Sequence, residues 1–191
     1  MADRYFNLPQ KKYDSNKKEL RMIAVGSLKE LKNFEYLLEV FQQLTGFEIY
    51  LDIYGDGDIP KYESVINNND LKVKMMGHID DIATVIHQYD LFIMPSKFEG
   101  FPLSLFEAMA AGVPLMLSDI GPLRSIVKEH AIYFPLNDAA SVAAIMQQIF
   151  NNTIDISGMA VKAKAYAEKT VRRDIYIKRL LDIYNQLTPQ K

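Results

Sequence analysis

The 191-residue chain contains no cysteine, so disulfides, thiolate metal ligands and thiol nucleophiles are all excluded. Its 22 basic and 24 acidic side chains leave a formal net charge of −2, a balance that does not favour nucleic acid as a partner. No apolar run approaches the roughly 18 residues that a membrane-spanning helix needs. We therefore expect a soluble protein, at most peripheral to a membrane, in a reducing compartment such as the cytoplasm.

Alternating strand-like and helix-like segments follow Leu20, which predicts a parallel sheet wrapped by helices. The predicted strands are Leu20–Gly26, Phe47–Tyr54, Lys72–Gly77, Asp90–Pro95, Leu115–Ser118 and Ala131–Phe134. The predicted helices include Asn33–Leu44, Ile59–Asn67, Ile79–Tyr89, a helix of about ten residues that ends before Gly112, one near Leu123–Glu129 and three more from Ala139, Ser157 and Arg172. The expected fold class is α/β, a Rossmann-like doubly wound parallel sheet of about six strands with helices on both faces. Ligands of such sheets bind beyond the carboxyl ends of the strands.

The first residues differ in composition from the rest of the chain. Residues 1–19 are polar, contain one proline and have few apolar positions, which is typical of a linker. The predicted organisation is a linker over residues 1–19 and one Rossmann-like domain, with its C-terminal helices, over residues 20–191.

The most informative stretch is Phe98–Pro114, between the fourth and fifth predicted strands. Pro102 can begin a helix there, because its missing N–H costs nothing at the first helical position, and Gly112 can follow the last helical residue. The backbone amides at this helix start lack helical partners at the positive end of the helix dipole, which suits an anion such as diphosphate. These amides belong to Phe101, Leu103 and Ser104.

Two glutamates, Glu99 and Glu107, lie on either side of that anion site with seven residues between them. An ionised carboxylate accepts charge-assisted hydrogen bonds from neighbouring hydroxyls, so sugar hydroxyls are the predicted partners. The alternative is a solvent-facing pair of glutamates on an ordinary amphipathic helix.

The string E-G-F-P-L-S-L-F-E-A-M-A-A-G-V-P resembles the E-x7-E signature of the retaining glycosyltransferases of family 4. That family has the GT-B fold of two Rossmann-like domains, and the motif belongs to the C-terminal, nucleotide-sugar-binding domain. The resemblance implies that Glu99 meets the donor sugar and that Glu107 meets the ribose. It assigns the diphosphate to a loop and helix start formed by Gly100, Phe101, Pro102, Leu103 and Ser104.

The loop after the first strand resembles the segment with which that family holds the phosphates. Gly26 allows close backbone approach and Lys32 matches the family's phosphate-binding lysine, whereas Ser27 stands where the family usually has arginine. We therefore group Lys32 with Glu99 as a catalytic candidate and Gly26 and Ser27 as donor-binding candidates. The alternative for Lys32 is a surface lysine before a helix.

Two further loops complete the candidate donor site. Gly55 and Gly57 resemble the family's Gly-x-Gly turn beneath the nucleotide, although Gly-Asp-Gly is also a common turn. His78 and Ile79 lie where the family holds the nucleotide base, and an ordinary loop histidine is the alternative. Asp56-Gly-Asp58 spells a D-x-D that could bind a divalent cation, but we favour a simple turn and expect no metal and no cofactor.

Together these features predict the donor half of a retaining glycosyltransferase, which moves a hexosyl group from a nucleoside-diphosphate sugar to a hydroxyl acceptor in polysaccharide or glycoconjugate biosynthesis. The resemblance implies a partner domain, an N-terminal acceptor domain of the same protein, which is missing from this chain. We thus expect the chain alone to bind donor without transferring sugar, and part of its last helix to expose apolar surface. A nucleotide-sugar epimerase or phosphorylase with the same pocket is one alternative, and a non-enzymatic receiver-like signalling domain is another.

Overall fold

The computed structural model describes residues 1–11 and 18–187, and within them six parallel strands form one sheet. The strands are β1 (Leu20–Val25), β2 (Ile49–Tyr54), β3 (Val73–Gly77), β4 (Leu91–Met94), β5 (Leu115–Ser118) and β6 (Ile132–Phe134). Their order in the sheet is β3-β2-β1-β4-β5-β6, and every neighbouring pair is parallel. The chain builds the sheet outward from β1 to β3 and then returns to place β4 on the other side of β1. This reversal creates a crevice beyond the carboxyl ends of β1 and β4, where doubly wound sheets bind their ligands.

Helices cover both faces of the sheet, as the predicted fold class requires. They are α1 (Asp3–Phe6), α2 (Phe34–Phe41), α3 (Ile59–Asn68), α4 (Leu103–Ala111), α5 (Gly121–Val127), α6 (Ala139–Phe150), α7 (Ile156–Thr170) and α8 (Arg173–Leu187). One core cluster joins α2, α3 and α6 to one face of the sheet, and a second joins α1, α4, α5 and α7 to the other. Within β1, Met22 and Ala24 belong to the first cluster and Ile23 to the second, because successive side chains of a strand point to opposite faces. The predicted α/β fold class is confirmed.

The helix predicted over Ile79–Tyr89 is wrong. Two short 3-10 helices, Ile82–Thr84 and Ile86–Gln88, occupy this segment instead. The Asp81 carboxylate accepts a hydrogen bond from the Ala83 amide at 3.1 Å. This hydrogen bond caps the first of the two 3-10 helices, and Val85, with φ −126° and ψ −28°, interrupts the helical backbone between them.

The linker predicted over residues 1–19 contains packed structure. Helix α1 lies within it, and Tyr5 of this helix is 4% exposed and belongs to the second core cluster. Composition did not indicate this packing, because one tyrosine among polar residues carries no periodic signal. Residues 12–17 of the predicted linker lie outside the described residues, and the domain boundary at residue 20 remains a prediction.

The C-terminal helix α8 contrasts with the other long helices, because it has no buried residue. Several of its large apolar side chains are exposed, among them Tyr176, Leu181, Tyr184 and Leu187. This agrees with the apolar surface expected for the last helix. Within the described residues, no helix is both long and apolar enough to cross a membrane.

Candidate functional site

The loops after β1 and β4 meet at the crevice in the sheet. The Lys32 ammonium, from the loop after β1, lies 2.6 Å from Oε1 of Glu99, from the loop after β4. The Asn33 side-chain amide donates to the Pro95 carbonyl at 3.2 Å and ties the same two loops together a second time. The two candidates that the sequence assigned to catalysis are therefore adjacent, although 67 positions separate them.

Glu99 is held by a buried hydrogen-bond network. Glu99 is 6% exposed, and its Oε1 also accepts a hydrogen bond from the Ser96 hydroxyl at 2.6 Å. The Ser118 hydroxyl, at the end of β5, donates to the Ser96 carbonyl at 2.6 Å. Burying a carboxylate is costly unless it is paired and hydrogen-bonded, and here both conditions hold. Sequence reasoning missed Ser96 and Ser118, since only the spacing of Ser96 three residues before Glu99 hints at the contact.

The start of α4 faces the same crevice. The helix begins at Leu103 with Pro102 as its N-cap, one position later than predicted, and the Pro102 side chain makes no capping hydrogen bond. The first amides of the helix have no helical partner at its positive end. The Ser104 hydroxyl donates to the Val25 carbonyl at 3.2 Å, which places this helix start against the end of β1. Gly112 follows the helix with φ +74°, a left-handed conformation that favours glycine, as predicted.

The loop before α4 presents Gly100 and Phe101 to solvent, whereas Pro102, which follows them, is buried. Gly100 is exposed, and the exposed fractions of Phe101 and Leu103 are 68% and 61%. The centroids of the Phe101 and Phe106 rings lie 4.9 Å apart, so the exposed Phe101 ring contacts a buried residue of α4. This surface is accessible to a ligand while the buried side of α4 packs in the core.

Glu107 lies in the second turn of α4, and its surroundings differ from those of Glu99. It is half-buried, and its Oε1 accepts a hydrogen bond from the Tyr5 hydroxyl at 2.7 Å. Burial raises the pKa of Glu107 above its ordinary value, while the Tyr5 hydrogen bond and the Arg4 charge lower it in part. Sequence reasoning placed Tyr5 in a linker and did not predict this contact.

Two glycines explain how the loops after β1 and β2 come together. A Cβ on Gly55 would lie 1.8 Å from the Gly26 carbonyl oxygen, and a Cβ on Gly57 would lie 2.5 Å from the Cβ of Leu28. Only glycine fits such close approaches. Gly26, Gly55 and Gly57 thus have a packing function here, and their predicted contact with the nucleotide stays a prediction. The neighbouring Ser27 is half-buried.

His78 and Ile79 follow β3 at the edge of this loop cluster. His78 is exposed, with Nδ1 at 2.9 Å from Asp56 and Nε2 at 3.2 Å from Asp80. Ile79 packs against the second core cluster. Their predicted contact with the nucleotide base remains a prediction.

The D-x-D sequence has a local role. The Asp58 carboxylate accepts a hydrogen bond from the Lys61 amide at 3.2 Å and caps α3. Asp56 contacts His78 instead of converging with Asp58. Among the described residues, no group of three or more histidine or acidic side chains is placed to hold a metal ion.

The assembled geometry suits an anionic ligand that carries hydroxyl groups. Lys32 and the free amides of α4 provide positive charge and N–H donors, which together bind phosphate oxygens. The carboxylates of Glu99 and Glu107 provide acceptors for hydroxyl groups.

Comparison with known proteins finds relatives that are named as glycosyltransferases. A profile of the family described as Glycosyl transferases group 1 matches residues 7–170. The chain is 28% identical over 198 residues to the amylovoran biosynthesis glycosyltransferase AmsK of Erwinia amylovora, an alignment that covers 95% of the chain and 48% of the relative. It is 25% identical over 180 residues to a UDP-Gal:alpha-D-GlcNAc-diphosphoundecaprenol alpha-1,3-galactosyltransferase of Escherichia coli, with 87% and 46% covered. The chain thus spans about half the length of the curated relatives it matches.

Solved structures share the fold. A glycosyltransferase from Rickettsia africae ESF-5 superimposes with a TM-score of 0.82 at 18% identity, over 92% of this chain and 49% of that one. Anabaena Alr3699/HepE, solved in complex with UDP-glucose, gives a TM-score of 0.79 at 18% identity, over 88% and 49%. The expected likeness to one half of a GT-B glycosyltransferase is confirmed. Because the family profile matches most of its length, the chain belongs to the glycosyl transferases group 1 family.

Proposed function

We propose that this chain binds a nucleoside-diphosphate sugar and serves as the donor-binding half of a retaining hexosyltransferase. The acceptor is a hydroxyl group, and the product belongs to polysaccharide or glycoconjugate biosynthesis. Relatives named for amylovoran and O-antigen biosynthesis support the pathway class, and the UDP-glucose complex of Alr3699/HepE supports the class of donor.

The observation that carries this proposal is the pairing of Lys32 with Glu99 beside the uncapped start of α4. The ion pair holds the two side chains together at the switch point of the sheet, with the Lys32 side chain 23% exposed and that of Glu99 7% exposed. A diphosphate bound at the α4 amides offers Lys32 a second anionic partner. Glu99 is then able to accept hydrogen bonds from the hydroxyls of the attached sugar.

The proposed chemistry requires positioning and charge stabilisation from these residues. The bond between the anomeric carbon and the diphosphate oxygen breaks, the acceptor oxygen bonds to the same carbon with retained configuration, and the acceptor hydroxyl gives its proton to the departing diphosphate. Lys32 and the α4 amides stabilise the negative charge that develops on the departing diphosphate, and such preorganised electrostatics is commonly the largest catalytic effect. Glu99 fixes the orientation of the sugar, and Glu107 binds the ribose.

Several parts of the proposal concern the complete enzyme. Acceptor recognition belongs to a second, N-terminal domain, as the resemblance implies, and this chain alone binds donor without transfer. We expect binding to require no metal, since Asp58 of the D-x-D caps α3 and Asp56 contacts His78. We place the enzyme in the cytoplasm or at the inner face of the membrane as a peripheral protein.

A signalling domain and other GT-B activities are the alternatives to a transferase. Membership of the glycosyl transferases group 1 family removes the receiver-like signalling domain. An epimerase or phosphorylase would use the same pocket and is distinguished by its products, a changed sugar or a sugar phosphate.

A thermal-shift panel tests the proposal. UDP, GDP, ADP and their sugar conjugates are added to the chain in EDTA and, in parallel, in Mg²⁺. A ligand that binds only the folded state at 100 times its Kd stabilises it by about 2.7 kcal/mol. We expect one nucleotide series to raise the Tm equally in both buffers. If no nucleotide raises the Tm, the proposed donor site is contradicted. If the Tm rises only with Mg²⁺, the metal independence of binding is contradicted.

A further inference from the structure

The N-terminal turn, residues 1–6, is attached to the domain beside α4. The Arg4 guanidinium lies 3.0 Å from the Asp81 carboxylate, on the segment that follows β3. The Tyr5 ring is buried in the second core cluster. The turn therefore holds the Tyr5 hydroxyl at a defined point against α4.

That hydroxyl donates to Glu107 across 102 positions of sequence. Burial, followed by the neighbouring Glu107, raises the pKa of Tyr5 to about 12, so the hydroxyl keeps its proton at any physiological pH. Tyr5 is thus a permanent donor facing a carboxylate. A hydrogen bond to a charged group contributes more than one between neutral groups.

The Tyr5–Glu107 pair lies at the wall of a cavity of about 570 Å³. The same cavity is lined by Phe101 and Leu103, from the loop and helix start that we assign to diphosphate. A ligand with phosphates at the α4 start is therefore able to reach the pair. An ionised carboxylate has about four acceptor sites, so one bond from Tyr5 leaves Glu107 capacity for further hydroxyl donors.

We propose that Tyr5 is a positioning residue that holds the Glu107 carboxylate in the orientation that receives the ribose hydroxyls of the nucleotide. This inference rests on the proposed function, because it requires ribose at Glu107. A free glutamate side chain has several rotamers and loses conformational entropy when a ligand fixes it. A hydrogen bond from the buried Tyr5 fixes Glu107 before the ligand binds, so binding no longer carries that loss.

The test compares Tyr5→Phe with wild type and with Tyr36→Phe. Phenylalanine keeps the ring and removes only the hydroxyl. Tyr36 is a matched control, because it is 6% exposed and its hydroxyl donates to the Pro135 carbonyl at 2.8 Å, away from Glu107. Titration calorimetry measures the Kd of the tightest-binding nucleoside diphosphate from the panel and of its 2′,3′-dideoxy analogue.

We expect wild type and Tyr36→Phe to prefer the ribose form to the same extent. For Tyr5→Phe we expect this preference to fall about tenfold, because the ribose form binds more weakly while the affinity for the dideoxy analogue is unchanged. If Tyr5 only supports packing, its substitution should weaken the binding of both ligands equally or of neither. Either result would overturn the inference.

A second measurement places Tyr5→Phe in a Glu107→Ala background. If Tyr5 acts through Glu107, the added substitution leaves nucleotide affinity unchanged there, whereas a further loss contradicts the inference. Should Tyr5→Phe fail to fold, Tyr5→Met replaces it, since methionine fills irregular apolar space without a hydroxyl. Failure of wild type to bind any nucleoside diphosphate counts against the proposed function, and retained ribose preference in Tyr5→Phe counts against the role of Tyr5 alone.

Discussion

The two glutamates of the motif are supported in different ways. Glu99 is buried and receives Lys32 and Ser96 from loops at the carboxyl edge of the sheet. Glu107 is half-buried and receives Tyr5 from the N-terminal turn, outside the sheet. The position of Glu99 thus follows from the sheet topology, whereas that of Glu107 depends on a segment remote from it. We therefore expect substitutions around Glu99 to change stability and sugar recognition together, and those around Glu107 to change mainly nucleotide recognition.

The largest expected effect comes from disturbing the loops that bring Lys32 to Glu99. Gly55→Ala places a methyl group 1.8 Å from the Gly26 carbonyl oxygen, so the backbone must move. We expect the free energy of unfolding to fall by about 3 kcal/mol or more, as for other severe steric substitutions. Urea denaturation measures it. Gly121→Ala is the control, because among the described residues no atom beyond its own helix backbone and chain neighbours lies within 4 Å of the added Cβ. A similar loss in both variants would contradict the close-approach argument.

Removing the partner of Glu99 should have the next largest effect. Lys32→Ala leaves the Glu99 carboxylate, whose side chain is 7% exposed, without its counter-charge. Breaking a fully buried pair in this way costs about 3–5 kcal/mol, and we expect about 2 kcal/mol here because Lys32 is partly exposed. Chemical denaturation at pH 7 measures the loss. Lys97→Ala removes an exposed lysine, 3.4 Å from Glu30, and should cost under about 0.5 kcal/mol, so equal losses would show that burial of Glu99 does not matter.

A smaller effect should follow the loss of one hydrogen bond to Glu99. Ser96→Ala removes the donor 2.6 Å from Oε1 but leaves Lys32 in place. We expect the preference for the nucleotide sugar over the free nucleoside diphosphate to fall by about 1 kcal/mol, with affinity for the free nucleotide unchanged. Calorimetric titration with both ligands measures it. An unchanged preference would mean that Lys32 alone holds the carboxylate.

The smallest effect concerns the pH dependence of stability at Glu107. Because burial raises the pKa of Glu107, the folded state binds more protons than the unfolded state between the ordinary pKa of 4.5 and the raised value. Stability contributed at this position therefore falls as pH rises through that window. Glu107→Gln should remove this decrease, so its stability relative to wild type rises from pH 4 to pH 7. Denaturation across that range measures it, and a relative decrease would contradict the assigned direction.

The sequence predicts the fold and the surroundings of Glu99 better than it predicts the surroundings of Glu107. The alternation of apolar segments predicts the six strands, and Pro102 and Gly112 locate α4 to within one residue. The string around Glu99, with Lys32, predicts two residues that the structure brings together at the crevice. These features are local, or follow from topology.

The contacts that the sequence does not predict join distant segments through single side chains. Ser118 reaches the Ser96 carbonyl across 22 positions, and Tyr5 reaches Glu107 across 102. No periodicity or motif specifies such pairs. The Ile79–Tyr89 segment has the apolar spacing of a helix, but that spacing does not reveal the break in the backbone at Val85.

The division of roles between the two glutamates is tested most directly by calorimetry of wild type, Glu99→Ala and Glu107→Ala in EDTA. Each protein is titrated with the free nucleoside diphosphate and with its sugar conjugate. Glu107→Ala should weaken both ligands by about 1.5–3 kcal/mol, the contribution of a charged hydrogen bond, whereas Glu99→Ala should weaken only the sugar conjugate by a similar amount. Equal losses for both ligands in both variants would contradict the assignment of sugar to Glu99 and ribose to Glu107.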